Sequence, residues 1–258
     1  MKHYIVWFLS IIWIIYYMIF SYQQKSLFQD DYSHVKQELL SQKTEISNKN
    51  DISDKPYKVS NNTIQESSST KILKKANLDV DFYPQSPFGK WWPIFEDTCE
   101  EASLLLALNY IKGDYMNRIQ FRDELLKIVD WQNKNFWYFK DTNVAQTAEI
   151  LDRYYNFKNY NIVDNPSIDD IKIEISNGNI VIAPFYGINL NPNYWGNGPD
   201  YHFMVIKGYT ENSFITHDVG TNKWENYMYN QNTLYNRIHD YHPIDIELGE
   251  KKIIVLKK

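Results

Sequence analysis

The chain has 258 residues, 43% hydrophobic and 16% aromatic, with a formal charge of −5. That length carries one domain with a sizeable core plus appendages, and the composition excludes a collagen-like or wholly disordered chain. The acidic balance, with no basic stripe, argues against nucleic acid as the main partner, because phosphate binding draws its affinity from clustered Lys and Arg.

Tyr4 to Phe20 carries no charge, and the apolar run extends through Ser21 and Tyr22. A spanning helix needs ~20 mostly apolar residues, so residues 1–22 read as a single-pass membrane anchor. No Ala-x-Ala-like cleavage site follows the run, which favours an uncleaved anchor over a signal peptide. The two-residue head stays inside most simply, which places the large domain outside the cytoplasm at the cell membrane. Residues 23–71 are dominated by Asn, Asp, Ser, Lys and Gln, too polar to offset the ordering entropy, and read as a flexible stalk. Lys36 to Leu40 could form a short helix within it.

The folded domain is expected over 72–258. Its first part reads as helical. Thr98 followed three residues later by Glu101 has the pattern of a capping box, so a helix is expected to open at Cys99. Asn117 to Asp130, Asn143 to Tyr155 and Ser167 to Ser176 repeat their apolar residues at helical spacing. The second part reads as β: Ile180 to Pro184, the alternating Tyr201 to Tyr209, then Ser213 to His217 closing a hairpin, and finally Lys252 to Leu256. Helices followed by an antiparallel sheet make an α+β fold.

Cys99 is the sole cysteine. With no intrachain disulfide partner it is either inert filler or a reagent. A first-turn position favours the reagent, because unpaired N–H groups and the helix dipole stabilise a thiolate. Glu100 and Glu101 repel that thiolate and partly offset the dipole. His202, at the head of an apolar strand, is a candidate base for the thiol. Asp218, at the end of the next strand, could fix the imidazole tautomer. Gln85, upstream, could donate its amide to a developing oxyanion beside the Cys99 N–H. Each residue also has an ordinary reading: Cys99 and His202 as packed core, Asp218 as a turn former before Gly220. His217 alternates away from Asp218 and stays outside the site. The six histidines are scattered without metal-ligand spacing, so no metal or cofactor is expected.

The blocks Phe82-Tyr83-Pro84-Gln85-Ser86-Pro87, Cys99 opening an apolar helix, Tyr201 to Tyr209 and Ile215 to Thr221 together resemble the C39-like peptidases of the papain superfamily. The order Gln, Cys, His, Asp is preserved. The resemblance implies a papain-like fold, with a helical part packed on an antiparallel sheet. It implies Cys99 as nucleophile, His202 as base, Asp218 as orienting acid and Gln85 as oxyanion donor. The expected activity is hydrolysis of peptide bonds in a peptide or protein substrate through a thioester, by a bacterial membrane-anchored thiol protease. Where many relatives carry Gly-Pro after the cysteine, this chain has Glu100-Glu101. That departure leaves two alternatives open: a binding module without turnover, or an acyltransferase that passes the thioester to an amine.

Overall fold

A computed structural model describes residues 72–258 except Trp195, together with Gln37. The expected anchor and stalk otherwise lie outside the described residues. Among the described residues no helix is long and apolar enough to cross a membrane.

The centre of the domain is an antiparallel sheet. Its strands are β1 (Ala76–Asn77), β2 (Tyr160–Asp164), β3 (Ile180–Tyr186), β4 (Tyr201–Tyr209), β5 (Ser213–His217), β6 (Tyr227–Asn230) and β7 (Lys252–Leu256). The order across the sheet is β2-β7-β3-β4-β5-β6. β1 pairs with Gly208 and Tyr209 of β4, just beyond Ile206, where the β3–β4 pairing stops. Gly208 is required there: a Cβ would stand 2.6 Å from the Ala76 carbonyl oxygen. The register of β4 against β5 shifts between Ile206 and Gly208, which frees Lys207 to bond Asn226 Oδ1 at 2.7 Å.

Every residue of β4 is buried, so the sheet has helices on both faces. Ile180, Ile182, Phe203 and Val205 pack on one side with Leu104, Leu105 and Leu108. Val181, Ala183, Phe185, Met204 and Ile206 pack on the other with Ile171 and Ile175. The first side is covered by α2 (Cys99–Lys112), which follows the short α1 (Pro93–Glu96), together with α3 (Arg118–Asn135) and α4 (Val144–Glu149). The second is covered by α5 (Ile168–Ser176) and α6 (Gln231–Asn236). The expected helical part packs on one face of the antiparallel sheet, and α5 and α6 add a layer on the other. The alternating apolar residues of β3 and β4 need cover on both sides.

α2 is buried continuously from Cys99 to Asn109, as a helix apolar around most of its circumference must be. It ends at Gly113, whose left-handed φ of 67° lets its N–H reach the carbonyls of Asn109 and Tyr110. α3 runs to Asn135, five residues past the expected end, and the third helix turns to π geometry from Ile150 to Tyr154. Capping boxes form at Asn117/Gln120, Asn143/Gln146 and Ser167/Asp170. The one expected at Thr98/Glu101 does not. Thr98 makes no cap bond; its hydroxyl turns to the Gln85 carbonyl at 3.4 Å, and Glu101 is buried instead of reaching back.

Candidate active site

A cleft of about 670 Å³ is lined by Gln85, Cys99, Tyr194, Tyr201, His202 and Gly220 among others. The four candidate residues come from three stretches of chain. Gln85 lies on the loop before α1, Cys99 opens α2, and His202 and Asp218 lie at the adjacent ends of β4 and β5. The Gln85 backbone stitches these together. Its N–H donates to Val219 O at 2.9 Å, and its carbonyl accepts from Thr98.

Strand alternation sets where the imidazole points. His202 pairs with Phe185 across the β3–β4 ladder and shares the parity of Met204 and Ile206, the α5 side of the sheet. Asp218 likewise follows Phe214 and Thr216. The two meet there, with His202 Nε2 2.8 Å from Asp218 Oδ1. Asp218 is fully buried and takes three further donors: Tyr229 OH at 2.7 Å, Tyr194 OH at 2.8 Å and Gly220 N at 3.1 Å. Burial opposes its ionisation, but the His202 charge and the bonds from His202, Tyr229 and Tyr194 outweigh that and hold its carboxyl below the usual value. An ionised carboxylate only accepts, so Nε2 carries the proton and Nδ1 is left as the basic nitrogen.

Tyr194, Tyr229 and Gly220 were not singled out from the sequence. The tyrosines stand on a loop and a short strand remote in the chain from Asp218, and no local pattern marks them. The Tyr194 ring also meets the His202 imidazole edge-on, at 6.1 Å between centroids.

Cys99 begins α2 as expected, but its environment corrects the expected thiolate. The residue is 5% exposed and packs with Tyr201 and Phe203 on the α2 side of the sheet. Its Sγ donates to Glu100 Oε2 at 3.1 Å and makes no hydrogen bond to His202. Burial, then the charge of Glu100, push the thiol well above its ordinary value. These effects outweigh the Phe203 backbone N–H, which favours the thiolate. Cys99 and His202 therefore share a cleft from opposite faces of the sheet, meeting at its end.

Gln85 reaches the cleft with both amide protons committed: Nε2 donates to Phe95 O at 2.9 Å and to Glu96 O at 3.0 Å. In this arrangement it anchors the end of α1. It would serve an oxyanion only after releasing one of these carbonyls. His217 is a core histidine, as its alternation indicated. Its Nε2 bonds Val80 O at 2.8 Å, its Nδ1 accepts from Asn226 N at 3.2 Å, and burial lowers its pKa to about 4.

A cysteine-opened helix laid against an antiparallel sheet defines an α+β domain. Residues 77–243 match the model of the Peptidase_C39 like family, and the chain belongs to that family. No curated protein matches the chain. Among solved structures, a Bacillus anthracis protein described as a C39-like peptidase aligns over 71% of this chain and 98% of its own, with 15% identity and a TM-score of 0.43. Xylellain, a cysteine protease from Xylella fastidiosa, aligns over 73% of this chain and 88% of its own, with 11% identity and a TM-score of 0.45.

Proposed function

We propose that the protein is a cysteine peptidase that hydrolyses peptide bonds through Cys99, His202 and Asp218. The family membership supports the activity class. The observation that carries the site is the His202–Asp218 pair, opening onto the cleft that also holds Cys99. In the reaction His202 Nδ1 takes the Cys99 proton as Sγ attacks the substrate carbonyl carbon. Asp218 holds the imidazole in the required tautomer and stabilises the imidazolium. The Cys99 N–H, and Gln85 once one of its carbonyl partners is released, receive the oxyanion. His202 then protonates the departing amine, and water, deprotonated by the same imidazole, hydrolyses the thioester.

The test is labelling of the full chain by a peptidyl epoxide. We expect adduct on Cys99 and a loss of at least about 100-fold in rate for His202→Ala. No adduct, or labelling indifferent to His202, rejects the reading. A second reading, a binding module of peptidase fold without turnover, is favoured by the bond from Cys99 to Glu100 in place of His202. The same experiment separates the two.

The apolar run at residues 1–22 supports a membrane-tethered protein with the catalytic domain outside the cytoplasm. Recovery of the full chain in a carbonate-washed membrane fraction, together with its digestion by protease added outside intact cells, tests that placement.

A further inference from the structure

Acidic residues in the first turn of a helix ordinarily face solvent, where the dipole favours them. Here Glu100 and Glu101 are both fully buried. Glu100 Oε2 receives the Cys99 S–H at 3.1 Å, and Glu100 Oε1 has no hydrogen-bond partner among the described residues. A thiol has one proton. While it lies on the bond to Glu100 it is not available to His202 Nδ1, and strand alternation puts that imidazole on the other sheet face.

We propose that Glu100 is a positioning residue whose carboxyl group holds the Cys99 sulfur on the helix side of the cleft, so that sulfur and imidazole pair only when this bond is released. The proposal rests on Cys99 being the nucleophile. The titratable groups around the pair are Glu101 on α2, Asp141 on the loop before α4, Tyr201 on β4 and, across the cleft, His202. Burial and the charge of Glu101 both keep the Glu100 carboxyl protonated well above the usual carboxylate range. A neutral carboxyl can accept the S–H through one oxygen without an uncompensated charge in the core.

Cys99 is the only cysteine, so alkylation of the full chain by iodoacetamide reads this one atom. The thiolate forms the S–C bond as iodide leaves with the C–I electron pair, and the thiol proton goes to buffer. We expect the wild-type rate to rise at a pH well above that of a free cysteine peptide. Glu100→Gln, which carries no charge beside the sulfur at the alkaline pH where Glu100 has lost its proton, should move the rising limb of the profile to lower pH by about one unit, a tenfold gain in rate at a given pH on that limb. Glu101→Gln, which does not touch the sulfur, should move it less. An unmoved profile in Glu100→Gln overturns the proposal.

Should Glu100→Gln fail to fold, the Raman S–H stretch of the wild-type chain decides. A band at neutral pH, displaced from that of a free thiol, supports the bond. An absent or undisplaced band overturns it. Fast wild-type alkylation at pH 7 that depends on His202 defeats the proposal and leaves the peptidase reading intact. A displaced Glu100→Gln profile without His202-dependent epoxide labelling shows the Glu100–Cys99 contact but rejects the peptidase reading, and with it the sulfur–imidazole pairing in the proposal.

Discussion

His202 Nε2 lies 2.8 Å from Asp218 Oδ1, and the carboxylate that makes this bond collects three other donors from Tyr229, Tyr194 and Gly220. The imidazole is therefore oriented by a group that is itself fixed on both oxygens. This rigidity lies at the sheet end, where His202 is the second residue of β4 and Asp218 follows β5, and where the cleft opens.

Asp218→Asn tests it. An amide keeps the shape but can accept on one oxygen only, so it loses either the imidazole proton or the tyrosine hydroxyls. We expect epoxide labelling and peptide hydrolysis to fall by about 100-fold or more, as for a triad whose orienting acid is neutralised. The pH dependence of stability should change as well. The folded carboxyl lies below its unfolded value, so its contribution is complete above about pH 4 and is lost as pH falls through the folded value. Thermal melts between pH 6 and 3 should be flatter in the variant; an equal slope contradicts the assignment.

Gly220→Ala tests the packing of the same pair. A Cβ at Gly220 would lie 3.2 Å from Asp218 Oδ1 and 3.4 Å from both Cε1 and Nε2 of His202. The imidazole or the carboxylate must give way by a few tenths of an ångström. We expect a loss of about tenfold in kcat, because sub-ångström misplacement of a catalytic group is costly. Unchanged kcat in a folded Gly220→Ala would show that the pair tolerates displacement.

The buried acids make the fold sensitive to alkali. Burial lifts Glu101 from 4.5 to about 8. Between those values the folded chain keeps a proton that the unfolded chain has released, so stability declines as pH rises, by at most about 1.4 kcal/mol per unit from this group. Glu100 is shifted in the same direction. Urea midpoints at pH 5 and pH 8 should show the decline, and Glu101→Gln should reduce it. A midpoint that rises with pH would refute the protonated state.

Much of the architecture is legible along the chain. The apolar run after Cys99, the Ser167 start with Gly178 past the end of α5, and the Tyr201–His217 hairpin are local patterns, and each forms where its pattern lies. β2 is a largely exposed edge strand and β6 has four residues, so neither has an apolar alternation to read. Thr98 and Glu101 show the opposite failure. Their spacing is that of a capping box, but burial of Glu101 and the pull of the Gln85 carbonyl on Thr98 override it.

The amino-acid order by itself determined that a lone cysteine begins an apolar helix and that a histidine and an aspartate sit at neighbouring strand ends. Those are consequences of local spacing. Only the tertiary structure decided that two distant tyrosines clamp the aspartate, that Gln85 has its amide protons engaged, and that the sulfur is bonded to Glu100. Desolvation and hydrogen-bond competition depend on which segments are packed against one another, and no single stretch of chain carries that information.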